Sequence, residues 1–211
     1  MNNTLIQSLE WRYATKKFNP EKHVSEEDFQ TLLASIRLTP TAFGLQPFKV
    51  FNITNEADRA RLKEIAFNQS QVVDASHVLM LCSYTELNDA YLDNHFEWMA
   101  ASRNVSIEKL DGFKNHVKSY VASLNAEQCA NWTSKQAYLV LGQLLQTCAL
   151  MGIDATPMEG FNAKMANEYF KLSEESLQAV LLCPIGYRDE NDPYLSNPKF
   201  RKPLDQIFGN R

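Results

Sequence analysis

The stretch WTSKQAYLVLGQLLQTCALM, residues 132–151, is the strongest helical pattern in this chain of 211 residues. Its apolar side chains are spread around nearly the whole helix, which is typical of a helix at the centre of a folded core. Gly152 follows and predicts the end of the helix. We therefore expect the chain to fold around one central helix.

Strands and further helices are predicted on both sides of this helix. The apolar run HVLMLC, residues 77–82, has the length of a strand that is covered on both faces. Other strands are predicted over 48–53, 153–158 and within 177–187, and other helices over 4–14, from Ser25 to before Pro40, over 56–67, over 86–124 with breaks near Val105 and Asp111, and over 163–169. Because helices dominate, the pattern predicts an α+β fold in one domain, residues 1–211.

The composition argues against several classes of protein. The net charge of -4 is unlike that of a nucleic-acid-binding protein. No apolar run approaches the roughly 20 residues of a membrane span, and the first ten residues lack the pattern of a signal peptide. The cysteines form no C-x-x-C pair and the histidines lack metal-ligand spacing. We expect a cytoplasmic protein that has no metal site and binds neither nucleic acid nor a membrane.

Two basic clusters lie at opposite ends of the chain, Arg12-Tyr13-Ala14-Thr15-Lys16 and Lys199-Phe200-Arg201. Guanidinium and ammonium groups at such short spacing suit a phosphate group. Each cluster could instead be solvated surface, and a tail rich in Asn, Asp and Pro could be disordered. The apolar residues Leu204, Ile207 and Phe208 nevertheless indicate that the tail docks onto something.

Two glycine-containing apolar segments lie between the clusters, residues 39–48 and Pro157-Met158-Glu159-Gly160-Phe161. The second follows a predicted strand and precedes a predicted helix, so it could simply be a tight turn. Alternatively, its successive backbone N–H groups could point at an acceptor on a ligand. Together, the segments and the basic ends suggest a planar, phosphorylated cofactor.

In their order along the chain, these segments resemble the FMN-dependent nitroreductase family, in particular its oxygen-insensitive NAD(P)H nitroreductase and flavin reductase branch. Residues 12–18, RYATKKF, are similar to the family's R-x-S-x-R/K opening. Pro40-Thr41-Ala42 with Gln46-Pro47-Phe48 is similar to its P-S-S-x-N-x-Q-P-W segment. The other markers are residues 74–78, 132–138, 157–161 and 199–201. The resemblance covers nearly the whole chain.

The resemblance implies which residues contact FMN. Lys16 is expected at the pyrimidine edge, where a cation stabilises the reduced flavin, and Glu159 and Gly160 N–H groups are expected to reach N5 and O4. The full implied set is Arg12, Lys199 and Arg201 at the phosphate, Tyr13 and Ala14 beside them, Lys16, Asn68 and Gln71 at the polar edge, Pro157, Met158, Glu159 and Gly160 in the turn, and Pro40, Thr41, Ala42 and Gly44 from the other subunit.

The resemblance also implies the assembly. It predicts a central mixed β-sheet flanked by helices and a homodimer with FMN at the subunit interface. The helix at 132–151 is expected in that interface, and the C-terminal extension is expected to wrap the partner subunit, which would cover its apolar side chains.

The chain departs from the family pattern where Ala14, Ala42 and Gly44 replace the usual polar residues and Gln71 replaces a common Lys. FMN binding is still expected, but the substrate preference is open. Bulky residues could form an aromatic wall that favours flat substrates, and the candidates are Phe43, Phe67 and Tyr120.

The implied activity is ping-pong hydride transfer, in which NAD(P)H reduces FMN and a nitroaromatic, quinone or flavin then accepts two electrons. No side chain is expected to act as a nucleophile. A specialised enone or dihydropteridine reductase is an alternative with the same chemistry. A flavin-binding redox protein without turnover and an α+β domain without a cofactor are alternatives from other classes.

Overall fold

The computed structural model describes residues 2–211, and side chains from Thr4 onward. Its helices are α1 (Asn2–Trp11), α2 (Glu26–Arg37), α3 (Glu56–Ile65), α4 (Gln71–Asp74), α5 (Asp89–Arg103), α6 (Asp111–Ala122), α7 (Ala126–Leu150) and α8 (Ala163–Tyr169). Its strands are β1 (Phe48–Asn52), β2 (His77–Tyr84), β3 (Asp154–Ala155) and β4 (Leu177–Gly186). The α+β class predicted from the sequence is confirmed.

The four strands form one sheet in the order β1-β2-β4-β3, and every pair is antiparallel. The predicted mixed sheet is therefore wrong for residues 2–211. An apolar strand covered on both faces has the same sequence pattern whether its neighbours run parallel or antiparallel to it. Strand direction was implied only by the resemblance, and the residues themselves carried no information on it.

Side chains of β2 alternate between two cores, one on each face of the sheet. Met80 packs in a cluster with Phe18 and Leu62, while Leu81 packs on the opposite face with Val140 and other side chains of α7. The side-chain period of two along a strand produces this division. The sheet is therefore buried on both faces, as the run at 77–82 predicts.

The central helix α7 begins six residues before the predicted start at Trp132. Asn125 and Gln128 form a reciprocal capping box, which satisfies two backbone N–H groups at this end. One stripe of α7 stays exposed in this chain, with Leu139 52% and Leu150 49% accessible. The helix is thus a core element on one side only, and its other side is an unpartnered surface.

Elements near the two basic clusters are shorter than predicted. The helix α1 ends at Trp11, so Arg12 to Lys16 are not helical, and α3 ends at Ile65 because Phe67 and Asn68 have left-handed backbone angles, φ 56° and 60°. The strand predicted over 153–158 pairs only at β3 and at a bridge from Met158 to Leu182. Residues 189–211 form a mainly irregular tail that is largely exposed, although Asp192 is buried. None of the helices between residues 2 and 211 has the length and apolarity of a membrane-spanning segment.

Candidate functional site

The two ends of the chain meet at a cavity of about 500 Å³. The segment after α1 forms one wall, the tail forms another, and Pro157 closes a third side. The residues predicted to contact a cofactor that line it are Arg12, Tyr13, Ala14, Lys16, Pro157, Lys199 and Arg201. The fold thus brings together both basic clusters, which lie more than 180 residues apart in the sequence.

The tail is held at this cavity by Lys199. Its ammonium group donates hydrogen bonds to the carbonyl oxygens of Leu9 and Arg12, at the C-terminal end of α1. Cations are favoured at this end of a helix because the last carbonyls carry partial negative charge. The contact explains why Arg12 and Lys199 share one site.

Several cations of the cavity repel one another, and one carboxylate, that of Glu10, lines the cavity with them. Burial lowers the pKa of Lys199, and the charges of Arg12 and Arg201 lower this pKa further. Burial and the charge of Arg201 also lower the pKa of Arg12. Between residues 2 and 211, neither these three side chains nor Lys16 forms an ion pair with a carboxylate. The cavity therefore has excess positive charge and suits an anion.

Arg188 also lines the cavity, although the sequence did not indicate a role for it. Its guanidinium carbon lies 4.1 Å from the centre of the Trp11 ring and 4.5 Å from that of Tyr13. The same group pairs with the buried carboxylate of Asp154, with Nη2 2.6 Å from Oδ1. This stacked ion pair fixes the side chains on both sides of Arg12.

Buried hydrogen bonds hold the Arg12–Lys16 segment against the rest of the fold. The Asp192 carboxylate accepts the Lys16 and Lys17 N–H groups at 2.6 and 2.8 Å. Thr156 Oγ1 donates to the Thr15 carbonyl oxygen at 2.6 Å, next to the Pro157 wall. The first basic cluster therefore has a defined backbone although it is irregular. Asp192, like Arg188, stood in a polar stretch that showed no periodicity.

Tyr13 presents an unusual polar group beside the cavity. Its hydroxyl is buried and has no hydrogen-bond partner between residues 2 and 211. Burial raises the pKa of Tyr13 to about 12, and the charge of Asp192 adds to this shift. The hydroxyl is therefore a neutral group that lies close to the Asp192 carboxylate.

The turn at Glu159 and Gly160 continues from the Pro157 wall. Both residues are exposed, and neither peptide N–H donates a hydrogen bond to any other described residue. Met158, by contrast, is 4% exposed and packs in the core, and its N–H and carbonyl groups are both hydrogen-bonded to Leu182, so Met158 offers no free donor to a ligand. The turn thus offers two free N–H donors in succession.

Asn68 and Gln71 lie in the α3–α4 region next to this turn. Asn68 is exposed in the left-handed loop after α3, and the following residue, Gln69, donates from Nε2 to the Gly160 carbonyl oxygen at 2.8 Å. Gln71 is only 5% exposed and its side chain forms no hydrogen bond with another described residue. The structure thus links the loop of Asn68 to the turn, whereas Gln71 is buried.

The segment Pro40, Thr41, Ala42 and Gly44 does not line the cavity in this chain. It lies at the α2–β1 connection, where the Ala42 N–H donates to Gln136 Oε1 on α7 at 2.9 Å. The resemblance assigned this segment to the partner subunit, and a location away from the cavity of its own chain is compatible with that assignment.

Phe43 and Tyr120 pack together, with ring centres 5.3 Å apart, and Phe113, His116 and Trp132 surround Phe43. Phe43 has a left-handed φ of 56°, an uncommon conformation for a bulky residue. Phe67 is 66% exposed and forms no ring contact with them. Within one chain, the three predicted rings therefore do not form a single wall.

The chain is similar in sequence to known proteins. The oxygen-insensitive NAD(P)H nitroreductase of Salmonella typhimurium is 28% identical over 202 residues, which cover 92% of this chain and 93% of that protein.

Solved structures also share the fold. A nitroreductase-like protein of Streptococcus mutans superposes with a TM-score of 0.85 at 20% identity, covering 100% of both chains. A protein of Exiguobacterium sibiricum, solved in complex with FMN, has a TM-score of 0.83 at 20% identity, covering 98% and 97%. The enone reductase CLA-ER has a TM-score of 0.80 at 20% identity, covering 98% and 96%.

The sequence model of the nitroreductase family matches residues 9–187 of this chain. This range includes every helix and strand from the end of α1 to β4. This chain belongs to the nitroreductase family.

Proposed function

We propose that the protein is an FMN-dependent NAD(P)H oxidoreductase that transfers two electrons to small aromatic or quinone-like acceptors. The observation that carries the proposal is the cavity built from both ends of the chain, with its unpaired cations. The Salmonella relative, which is named an NAD(P)H nitroreductase, and the FMN bound in the Exiguobacterium structure support it.

The residues present fit the phosphate of FMN. Arg12, Lys199 and Arg201 would hold this dianion, because charge-assisted hydrogen bonds from such groups are roughly twice as strong as neutral ones. The guanidinium group of Arg12 forms no hydrogen bond with another described residue, so its donors are free for a ligand. Ala14 lacks the hydroxyl that the family usually supplies, and Tyr13 lines the same cavity beside it.

The polar edge of the flavin also has matching groups. When bound, FMN supplies hydride transfer between NAD(P)H and an oxidised acceptor. Lys16 and the side chain of Asn68 would face this edge, and the free N–H groups of Glu159 and Gly160 would donate to it. Fixed donors at the place where negative charge develops favour reduction.

We further propose that the protein acts as a homodimer. Residues Pro40, Thr41, Ala42 and Gly44 would complete the partner's site, since they do not line the cavity of their own chain. The exposed stripe of α7 and the exposed tail side chains Phe200 and Ile207 offer apolar surface for such an interface. If the tail wrapped around the partner subunit, it would cover the remaining exposed apolar surface.

The reaction that fits best is ping-pong, with NAD(P)H and the acceptor using one surface in turn. We propose nitroaromatics, quinones and flavins as acceptors, and a reducing, cytoplasmic location, which the free cysteines support. Enone reduction is the alternative, because CLA-ER shares the fold. A flavin store without turnover would not need the free donors of the turn.

Anaerobic stopped-flow absorbance tests the proposal. The purified protein is mixed with NADH or NADPH and followed between about 350 and 500 nm, and then mixed with a nitroaromatic, a quinone or an enone. Bleaching by the nucleotide and recovery with an acceptor are expected. Bound flavin that neither nucleotide reduces would indicate a store or sensor, and protein that does not take up FMN would exclude the assignment.

A further inference from the structure

The turn that carries the two free N–H donors is held from two sides. Tyr138 on α7 donates its hydroxyl hydrogen to Glu159 Oε1, with 2.9 Å between the oxygens. On the other side, Gln69 Nε2 donates to the carbonyl oxygen of Gly160 at 2.8 Å and to that of Ala66 at 3.0 Å. Both amide hydrogens of Gln69 are therefore used in bridging the turn to the end of α3.

We propose that Tyr138 and Gln69 are positioning residues that hold the Glu159–Gly160 turn so that its free N–H groups meet the flavin. The inference rests on the proposed function and adds to it the residues that set the geometry of the donors. Neither residue lines the basic cavity, so their effect should fall on the flavin ring and not on its phosphate.

The turn needs such external support because it is short and exposed. Its one internal hydrogen bond runs from the Phe161 N–H to the Glu159 carbonyl oxygen, at 2.8 Å. Exposed turns with glycine have low local stability and open readily. Restraint by side chains from α7 and the α3–α4 loop would limit this motion.

The approach of Gln69 is as close as glycine permits. A Cβ atom placed on Gly160 would lie 3.2 Å from Gln69 Nε2, which is tighter than ordinary contact. A side chain at this position would require the Gln69 amide to move by a few tenths of an ångström. Glycine at position 160 thus leaves room for the contact with Gln69.

Tyr138 remains a donor throughout the physiological range. Burial raises its pKa, and the hydrogen bond to Glu159 raises this pKa further. The hydroxyl lies within the exposed stripe of α7 that we assign to the dimer interface. Assembly would therefore bury the Tyr138–Glu159 contact and strengthen it, because water would compete less for the carboxylate.

The test compares the two-electron reduction equilibrium of bound FMN in wild type, Tyr138→Phe and Gln69→Met. Tyr169→Phe is the matched control, because Tyr169 also donates to a carboxylate, that of Asp58 at 2.8 Å, away from the turn. Each site variant should lower the reduction equilibrium constant about two- to tenfold, the effect of one neutral hydrogen bond. FMN affinity should fall by no more than the reduction equilibrium constant does, and the melting temperature should change by no more than it does in Tyr169→Phe.

A second measurement does not depend on flavin. Hydrogen exchange of the peptide covering residues 157–162 should become faster in Tyr138→Phe and Gln69→Met and stay unchanged in Tyr169→Phe. The double variant Tyr138→Phe with Glu159→Ala should exchange no faster than Glu159→Ala alone, since both changes break the same contact.

The outcomes separate the two proposals. If wild type binds FMN and NAD(P)H reduces it, but the site variants keep wild-type equilibrium constants and exchange rates, the positioning role is wrong and the function stands. The positioning role is also wrong if Tyr138→Phe and Gln69→Met change the reduction equilibrium constant only as much as Tyr169→Phe does. If wild type does not bind FMN at all, both proposals fall together.

Discussion

Replacing Arg188 by Met should destabilise the frame of the cavity strongly. Arg188 carries the charge that compensates the Asp154 carboxylate, and Asp154 is only 3% exposed. The Met side chain keeps most of the length and packing volume but removes the guanidinium group. The carboxylate would then be buried without a cation, and the stack between Trp11 and Tyr13 would be lost.

The expected loss in free energy of unfolding follows from these contacts. Removing one partner of a buried ion pair typically costs about 3–5 kcal/mol, and stacking over two rings contributes on the order of 1 kcal/mol. Two hydrogen bonds to Asp154 remain, from the Arg188 N–H at 2.9 Å and from Thr15 Oγ1 at 3.3 Å. These bonds shield the carboxylate, so we expect about 3 kcal/mol.

Urea unfolding, monitored by tryptophan fluorescence at one fixed protein concentration, measures this loss in free energy of unfolding. Lys17→Met is the control, because Lys17 pairs with Asp189 at 3.3 Å while 47% exposed, and exposed pairs contribute less than about 1 kcal/mol. Adding Asp154→Asn to Arg188→Met should recover part of the loss. A loss below about 1 kcal/mol in Arg188→Met, or one equal to that of Lys17→Met, would show that Arg188 and Asp154 do not stabilise the fold as a buried ion pair.

Three further predictions concern other contacts. Lys199→Met should weaken FMN binding about tenfold or more, the effect of one charge-assisted hydrogen bond, and leave riboflavin binding unchanged in a flavin fluorescence titration; equal losses for both ligands would contradict a phosphate contact. Thr156→Val should lower the free energy of unfolding by about 1–3 kcal/mol, because the buried Thr15 carbonyl loses its hydrogen-bond donor. An unchanged free energy of unfolding, measured in urea, would refute this. Burial raises the pKa of Cys148 to about 12, so a thiol reagent should not modify it in the native protein at neutral pH, whereas unfolded protein should react. The contribution of the Cys148 thiol to the free energy of unfolding should be complete below pH 9 and should decrease as pH rises toward 12, because in this range the thiol loses its proton only in the unfolded state. A free energy of unfolding that stays constant over this range would contradict the raised pKa.

The helices and strands could be predicted well because their signals are local. Residues 163–169 were predicted as a helix and form α8 with those bounds, and Ser25 caps α2 as its sequence indicated. Strand direction could not be predicted, since burial on both faces fixes the composition of a strand and not its orientation. The early start of α7 was missed because the Asn125–Gln128 box lies before the apolar pattern.

The site could be predicted only in part. The basic clusters were visible and suggested a cofactor held by both ends of the chain, but nothing local in the sequence places Arg12 next to Lys199. Arg188, Asp192 and Gln69 were missed for a common reason. Each acts through a partner far away in the sequence, and each stands in a polar stretch where neither periodicity nor composition distinguishes it from ordinary surface.

We propose that the cavity between the two chain ends holds the phosphate of FMN. The most direct measurement is the affinity of flavin-free protein for FMN and for riboflavin, which differ only in that phosphate group. Two charge-assisted hydrogen bonds correspond to a preference for FMN of at least about 100-fold, and this preference should decrease at high salt. Equal affinities for the two flavins, at low and at high salt, would contradict the claim.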